Sequence, residues 1–252
     1  MIVNDLSSSF MKAPLYSLLI WVFALAACGT SSDDPLPEPT SGTITGSVFL
    51  FDESSTNLNP SGMRISVENL TPTRSALTDN EGKFSIADVP FGTYTLTFEK
   101  EGYGTFKKTE VKHESPLTPI TDIPSLGQLS TTSVTEITAQ VSGTAIETFV
   151  TTSPVANNSN RRYIRYFFSD SPDVSFTNYK GFSLVYVVQD TPYYRVFTPV
   201  ELNQIGIVPT GTIYIRAYGD SFLSNTYVDP QTQKTIFPNI NPNSTGVASV
   251  TF

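Results

Sequence analysis

Short stretches of alternating polar and apolar residues recur along the chain from Thr43 to the C-terminus. Met63, Ile65 and Val67, for example, are each separated by one polar residue. Alternation with a period of two is typical of strands that have one buried face and one solvated face. Groups of Gly, Pro, Asn and Asp separate the stretches at intervals of about 8–12 residues, which is typical of β-sandwiches. The pattern predicts an all-β chain with two β-sandwich domains in tandem, at residues 43–124 and 125–252.

In the first of these regions, the stretch Thr105–Val111 combines strand periodicity with several charged side chains, Lys107, Lys108 and Glu110. Charges of this kind protect an edge strand from pairing with other chains. We therefore predict an edge strand here. His113 follows between Lys112 and Glu114, and a single histidine in a charged turn is expected to be an ordinary surface residue.

Four motifs of the first region stand in a fixed order. They are GSV at 46–48, TDNEGKF at 78–84, VPFGTYTL at 89–96 and KEGY at 100–103. In the second motif Asp79 can accept backbone hydrogen bonds at a turn, and Gly82 can adopt a positive φ. In order, the four motifs resemble the carboxypeptidase-regulatory-like domain, a transthyretin-like (prealbumin-type) sandwich.

The resemblance implies an accessory or spacer module that is sometimes grouped with carbohydrate-binding-like folds. It implies no peptidase activity, because the zinc ligands and the catalytic Glu of metallocarboxypeptidases belong to another domain. The motifs cover under a third of the chain.

The second region shows no repeat of these motifs and is richer in Tyr, Phe, Asn and Thr. Its periodicity predicts seven strands. The pattern of short strands resembles that of an immunoglobulin- or fibronectin-III-like sandwich, although the immunoglobulin cysteine pair and core Trp are missing. The predicted strands are Ser133–Val141, Ala145–Thr152, Arg162–Phe168, Phe182–Gln189, Tyr193–Phe197, Thr212–Tyr218 and Gly246–Phe252.

Two connections in the second region carry further signals. Thr198-Pro199-Val200-Glu201 has the spacing of a capping box with Pro at the first helical position, so one helical turn is expected, ending near Gly206. The segment 224–242 is long and rich in Asn, Pro and Thr. Such loops host binding sites in sandwiches, but they are also where sequences vary freely.

The N-terminus has the pattern of a targeting segment. Leu15–Ala27 is a run of uncharged, mostly apolar residues that is too short to span a bilayer and suits the apolar core of a signal peptide. Lys12 supplies the positive charge that precedes such a core. Translation begins at either Met1 or Met11 in this interpretation.

The run ends in Leu25-Ala26-Ala27-Cys28, which resembles the bacterial lipobox. This resemblance implies a signal peptide at residues 1–27 and a diacylated Cys28, the one cysteine of the chain. Residues 28–42 are rich in Pro, Ser and acidic residues, and this composition predicts a flexible tether. Asp33-Asp34 resembles an acidic export signal, which implies a lipid-anchored protein of the outer membrane, exposed on the cell surface. The alternative is an ordinary secretory signal with an incidental Cys.

Composition and charge exclude several classes of site. With one Cys and one His, the chain forms no internal disulfide, thiolate metal centre or multi-histidine centre. A net charge of −8, from 15 basic and 23 acidic residues, argues against nucleic acid as a partner. The motifs GxSxG, HExxH, GxGxxG and the P-loop are absent, so no enzyme activity and no cofactor are expected. Five loop acids could hold Ca²⁺ if three of them met: Asp170, Asp173, Asp190, Asp220 and Asp229.

The strongest candidate for a binding site is a set of alternating aromatic and basic residues on two strands. If these strands are neighbours, the set forms an outward surface suited to stacking and hydrogen bonding with a glycan or a surface protein. The alternative is that the arginines only stabilise the rings across the sheet. Tyr193-Tyr194-Arg195 is a similar but weaker case, and the one Trp, Trp21, lies in the signal peptide. The predicted contacts are Tyr163, Arg165, Phe167, Tyr214, Arg216 and Tyr218.

The sequence therefore favours a non-catalytic binding or adhesion accessory whose ligand is a glycan or a protein. A structural spacer or fimbria-related subunit is the alternative, because the terminal strand at residues 247–252 could complete a neighbour's sheet. A hydrolase with a spatial carboxylate pair is the third possibility.

Overall fold

The all-β prediction is confirmed. In residues 38–252, which the computed structural model describes, the chain forms twenty strands and one short helix. Pro39–Phe252 is one compact unit with two large hydrophobic cores. The signal peptide, Cys28 and most of the tether lie outside the described residues. β1 begins at Ser41, so the last two residues of the predicted tether belong to a strand. Within residues 38–252 no helix has the length and apolar character needed to cross a bilayer.

The first core lies between a three-stranded sheet, ordered β6-β1-β9, and a four-stranded sheet, ordered β5-β4-β7-β8, with a small sheet β10-β2-β3 beside them. The strands are β1 Ser41–Ser47, β2 Phe49–Phe51, β3 Asn57–Leu58, β4 Arg64–Val67, β5 Arg74–Leu77, β6 Lys83–Pro90, β7 Gly92–Glu99, β8 Phe106–His113, β9 Leu117–Pro119 and β10 Ser125–Gly127.

The turn before β6 has the structure that its motif predicts. Asp79 Oδ1 accepts hydrogen bonds from the backbone N–H groups of Glu81 and Lys83, at 2.8 and 2.9 Å. Gly82 has a φ of +79°, and a Cβ there would lie 2.3 Å from the carbonyl oxygen of Val48. Glycine is therefore required on both conformational and steric grounds.

β8 is an edge strand of its sheet, as its charges predict, but it runs on through His113. The expectation that His113 is a surface residue is wrong, because its side chain is fully buried. Its Nδ1 lies 2.7 Å from Thr118 Oγ1, and its Nε2 lies 3.1 Å from the carbonyl oxygen of Val89. Both ring nitrogens thus find partners inside the core, which offsets the cost of burying a polar ring.

The second core lies between a three-stranded sheet, ordered β11-β12-β16, and a larger sheet, ordered β14-β13-β17-β20, in which β15 also pairs with β13. The elements are β11 Ser133–Ser142, β12 Ala145–Ser153, β13 Arg162–Ser169, β14 Gly181–Phe182, β15 Tyr186–Val188, β16 Tyr193–Phe197, α1 Pro199–Gln204, β17 Thr212–Gly219, β18 Tyr227–Val228, β19 Thr235–Ile236 and β20 Ala248–Thr251. The terminal strand β20 pairs with β17 of its own chain.

The predicted helical turn is confirmed as α1. Thr198 Oγ1 accepts from the N–H of Glu201 at 3.3 Å, and Glu201 Oε2 accepts from the N–H of Thr198 at 2.9 Å. This reciprocal pair is a capping box with Pro199 inside the first turn. Gly206 follows with a φ of +81°.

The two cores are joined by polar and steric contacts. Glu53, before β3, accepts hydrogen bonds of 2.7 Å from the backbone of Thr131 and from Arg162. Asn239 donates to the carbonyl oxygen of Gly127 at 3.1 Å. A Cβ at Gly104 would lie 2.1 Å from the carbonyl oxygen of Pro238, so the loop between β19 and β20 packs directly on the first core.

Candidate functional site

The strands of the predicted aromatic and basic surface are neighbours, as expected. β13 and β17 pair antiparallel, with Arg165 opposite Tyr218 and Phe167 opposite Arg216. Residues that lie opposite each other in an antiparallel pair share one face. We call this set the covered face: Tyr163, Arg165, Phe167, Tyr214, Arg216 and Tyr218.

The expectation that the covered face points outward to solvent is wrong for four of its members. Tyr163, Arg165, Phe167 and Tyr218 are all buried. Residues 174–182, which lead into and include β14, and residues 237–240, which follow β19, fold over this side of the sheet and form a third hydrophobic cluster with it. Phe237 contributes most directly, with its ring perpendicular to that of Phe167 at a centroid distance of 4.9 Å.

The side chain of Arg165 makes all of its described contacts within this internal layer. Its Nε donates to Asp220 Oδ2 at 2.8 Å, and its Nη1 donates to the carbonyl oxygen of Ser183 at 2.6 Å. The guanidinium also lies over the rings of Phe237 and Phe182, at 5.0 and 5.7 Å from their centroids. Burial raises the pKa of Asp220, and the charge of Arg165 opposes that shift. The cation is therefore a structural element of the layer.

Tyr214 and Arg216 are the half-buried members of the covered face. Arg216 Nη2 donates to the carbonyl oxygen of Ser244 at 2.8 Å, and its guanidinium lies 5.2 Å from the centroid of the Tyr218 ring. Ligand contact by the six residues stays a prediction, and these two are the ones whose side chains reach solvent.

The opposite sheet of the second core carries aromatic residues that are open to solvent. In β12, Glu147, Phe149 and Thr151 alternate with the buried residues of the core and point outward. Register places Thr138 and Tyr194 on either side of Phe149, and Gln140 and Val196 on either side of Glu147. We call this set the open face: Glu136, Thr138, Gln140, Glu147, Phe149, Thr151, Tyr194 and Val196.

The rings of Phe149 and Tyr194 form the centre of the open face. Their centroids are 5.1 Å apart and their planes are inclined by 38°. Tyr194 is 49% exposed and Phe149 is half-buried beside it. The pair is therefore a fixed aromatic surface in contact with water.

Glu147 holds polar groups in place beside the rings. Its Oε2 accepts from Gln140 Nε2 at 2.7 Å, and its Oε1 accepts from the hydroxyl of Tyr194 at 2.9 Å. Both hydrogen bonds lower the pKa of Glu147, and the bond from Gln140 has the larger effect. The bond to Glu147 raises the pKa of Tyr194. The face thus presents a carboxylate and an amide next to exposed aromatic carbon.

The tripeptide Tyr193-Tyr194-Arg195 divides between the two sides of its sheet. Tyr194 belongs to the open face, whereas Arg195 points the other way, forms an ion pair with Glu201 and lies 4.7 Å from the centroid of the Tyr186 ring. Phe149 was not singled out from sequence. Its signal was the alternation of β12, in which Glu147, Phe149 and Thr151 occupy the positions between buried ones.

The loop acids do not form a metal site in the part of the chain that the structure describes, where no group of three or more His, Cys, Asp or Glu side chains converges. Asp170 pairs with Lys180 and Asp220 with Arg165. Asp229 accepts from the backbone N–H groups of Gln231 and Thr232, which closes a turn.

A groove of about 370 Å³ lies between residues 180–184 and the end of α1. Phe182, Leu184 and Ile205 line it, and Leu184 is its most exposed side chain. The groove offers apolar contact with fewer fixed polar groups than the open face, so the open face is the stronger candidate.

Comparison with known protein families finds one match, and it lies in the first region. Residues 43–123 match the family model of the carboxypeptidase regulatory-like domain. The match runs from the third residue of β1 to beyond β9 and includes all four sequence motifs, and it leaves the open face outside. No curated protein matches the chain.

Solved structures similar to the chain differ widely in the share they cover. A cohesin–X-dockerin complex of Acetivibrio cellulolyticus is 23% identical over 35% of this chain, with a TM-score of 0.29. A DUF3823 family protein of Bacteroides ovatus is 12% identical, covers 84% of this chain and 98% of its own, and has a TM-score of 0.31. A Bacteroides uniformis protein, provisionally described as carbohydrate binding, is 14% identical, covers 85% and 100%, and has a TM-score of 0.29.

The chain spans 59% and 52% of the two cohesin–X-dockerin chains that it matches. At TM-scores of 0.29 to 0.31, these likenesses carry no argument about function.

Proposed function

We propose that the protein is a non-catalytic glycan-binding lipoprotein, anchored by acylated Cys28 in the outer membrane, with the open face as its ligand-binding surface. The observation that carries the proposal is the exposed Phe149–Tyr194 pair with the Glu147 carboxylate held beside it. Sugar rings present an apolar side that stacks on aromatic rings and hydroxyl groups that bond to carboxylates and amides. Both kinds of contact are available at one place on this sheet.

The geometry of the pair favours a single chain over a flat crystalline surface. Two rings inclined by 38° do not present one plane, whereas successive sugars of a flexible chain are free to twist relative to each other. Tyr and Phe take the place of Trp as stacking rings in this proposal, since Trp21 lies in the predicted signal peptide.

The burial and hydrogen bonding of the one histidine support a binding role without catalysis. His113 lies inside the first core with both ring nitrogens hydrogen-bonded, so it is not available as a general base at a surface site. The strand order of the second core, β11-β12-β16 against β14-β13-β17-β20, supports an immunoglobulin- or fibronectin-III-like module that displays the open face.

The proposal is tested by substituting Tyr194 and measuring binding to a panel of soluble polysaccharides by affinity electrophoresis and calorimetry. Tyr194→Ala is expected to weaken binding at least tenfold, about 1.4 kcal/mol, because the most exposed stacking ring is lost. Phe49→Ala is the matched control, since Phe49 is also an aromatic residue that is 49% exposed but lies on the first region. Failure of the unaltered protein to bind any polysaccharide, or an equal loss in both variants, would contradict the proposal.

The anchor is tested separately. Cys28→Ala is expected to move the protein from the membrane fraction to the soluble fraction, because two or more acyl chains are needed for stable attachment. Retention of the variant in membranes would overturn the lipid-anchor part of the proposal and leave the glycan site untouched.

A further inference from the structure

We infer that the open face selects neutral or amino-substituted glycan chains and discriminates against chains that carry carboxylate or sulfate groups. The inference rests on the proposed function and concerns the chemistry of the ligand. It is drawn from the sign and the position of the charges around the aromatic pair.

The charged residues among the eight of the open face are Glu136 and Glu147, and both are acidic. Glu147 lies two residues from Phe149 along β12, and Glu136 lies opposite Thr151, two residues beyond Phe149 in the other direction. The rings are therefore flanked by a carboxylate on each side along the strand. With a rise of about 3.3 Å per residue, the two acidic positions are separated by about 13 Å along the sheet.

A sugar stacked on Phe149 lies about 7–8 Å from both acidic positions, because Glu147 is two residues along β12 and Glu136 is on the neighbouring strand β11. Charges interact over about 8 Å at physiological ionic strength. A carboxylate or sulfate on that sugar meets repulsion from both sides, whereas a hydroxyl can donate to Glu147 and an ammonium group is attracted. Glu147 remains an acceptor because its hydrogen bonds favour the ionised form.

The basic residue closest in sequence to the rings does not compensate this field. Arg195 is on the opposite side of β16, where Glu201 neutralises it and the rings of Tyr186 and Phe197 enclose its guanidinium. The chain as a whole has a net charge of −8, which adds to the repulsion of polyanions at long range.

The test compares polysaccharides that share a backbone and differ in charge. The pairs are hydroxyethyl- and carboxymethyl-cellulose, dextran and dextran sulfate, and methyl-esterified and de-esterified pectin, with chitosan as the cationic probe. At 10 mM salt, every neutral polysaccharide that binds is expected to bind at least tenfold more tightly than its acidic partner. The ratio is expected to fall at 0.5 M salt, because screening shortens the range of the repulsion.

Variants test whether the acidic residues of the open face cause the preference for neutral over acidic glycans. Glu136→Gln combined with Glu147→Gln is expected to reduce the neutral-to-acidic affinity ratio at least threefold, since glutamine keeps the shape and removes the charge. The matched control is Glu101→Gln combined with Glu114→Gln, two exposed acids of the first region whose removal changes the net charge equally. The control is expected to leave the ratio within twofold of the original.

The outcomes separate this inference from the proposed function. Equal or tighter binding of the acidic partners overturns the inference and leaves glycan binding standing. An unchanged ratio in the open-face double variant, or the same change in the control, also overturns it. If no polysaccharide binds, the proposed function itself fails.

Discussion

Both sheets of the second core carry aromatic and charged residues on the side that faces away from the core. One of these faces is buried under other segments of the chain, and the other is in contact with solvent. On the covered face Phe167 is fully buried and Arg165 pairs with an equally buried Asp220. On the open face Phe149 and Tyr194 are in contact with solvent. The alternation within the strands is alike in the two cases, so strand periodicity alone does not distinguish a binding surface from an inner layer.

The connecting segments account for the difference. β11 and β12 are joined by a two-residue turn that contains Gly143 at a φ of +62°, so no chain is available there to cover the open face. The connections that leave β13 and β17 are long, and they supply Val174, Phe237 and Ile240 to the layer over the covered face. Apolar area removed from water stabilises that arrangement.

The largest expected effect is a difference in the free energy of unfolding between variants of the covered face and variants of the open face. Phe167→Ala is expected to lower the free energy of unfolding by about 3–5 kcal/mol, because it leaves a cavity among packed rings. Phe149→Ala is expected to lower it by about 1 kcal/mol, since that ring is half-buried and has one aromatic partner. Denaturant unfolding measures both values, and similar losses in the two variants would contradict the comparison.

A second prediction concerns the charge inside the covered face. Asp220→Asn is expected to destabilise the protein by about 3 kcal/mol, because it leaves the Arg165 cation buried without its partner. Replacing both residues, as Arg165→Met with Asp220→Leu, is expected to restore most of that loss, since neither charge is then buried. Unfolding of the single and double variants in denaturant checks the pair, and a double variant as unstable as the single one would contradict it.

A third, smaller effect tests what holds the covering loop in place. Gly104→Ala introduces a Cβ against the carbonyl oxygen of Pro238 and is expected to cost about 1–3 kcal/mol. Hydrogen exchange is expected to rise first in residues 227–240, because this segment must move away from the first core. Thr105→Ala, at the adjacent exposed position, serves as the control and is expected to leave exchange unchanged.

The smallest effect lies in the protonation of the open face. The pKa of Glu147 is held below its ordinary value of 4.5 by Gln140 and Tyr194, so folding favours its ionised form. That contribution is present above the ordinary pKa and is lost as the pH falls through the lowered value. In Gln140→Ala and Tyr194→Phe the pKa of Glu147 is expected to rise toward its ordinary value, as followed by carbon NMR. An unchanged pKa would show that these hydrogen bonds do not persist in solution.

Periodicity was sufficient to predict most strands of the second core, and β16 matches its predicted bounds from Tyr193 to Phe197. The single strand predicted at Phe182–Gln189 is wrong, because the chain forms two short strands there, β14 and β15, and the short strands β18 and β19 were not predicted. Turn and capping chemistry was equally direct, because Asp79 and Thr198 act on backbone groups a few residues away. His113 was assigned wrongly, since its partners Val89 and Thr118 come from other strands. The exposure of the covered face was assigned wrongly for a similar reason, since its cover comes from distant loops.

The amino-acid sequence by itself determined the class of fold, the local turns, the carboxypeptidase-regulatory-like motifs and the acidic net charge. These properties depend on residue order and on interactions within a few positions. The tertiary structure decided which aromatic face meets solvent, because burial depends on where loops distant in sequence come to rest. It also brought Tyr194 against Glu147 from 47 residues away, whereas the pairing of Gln140 with Glu147 follows from the short hairpin between β11 and β12.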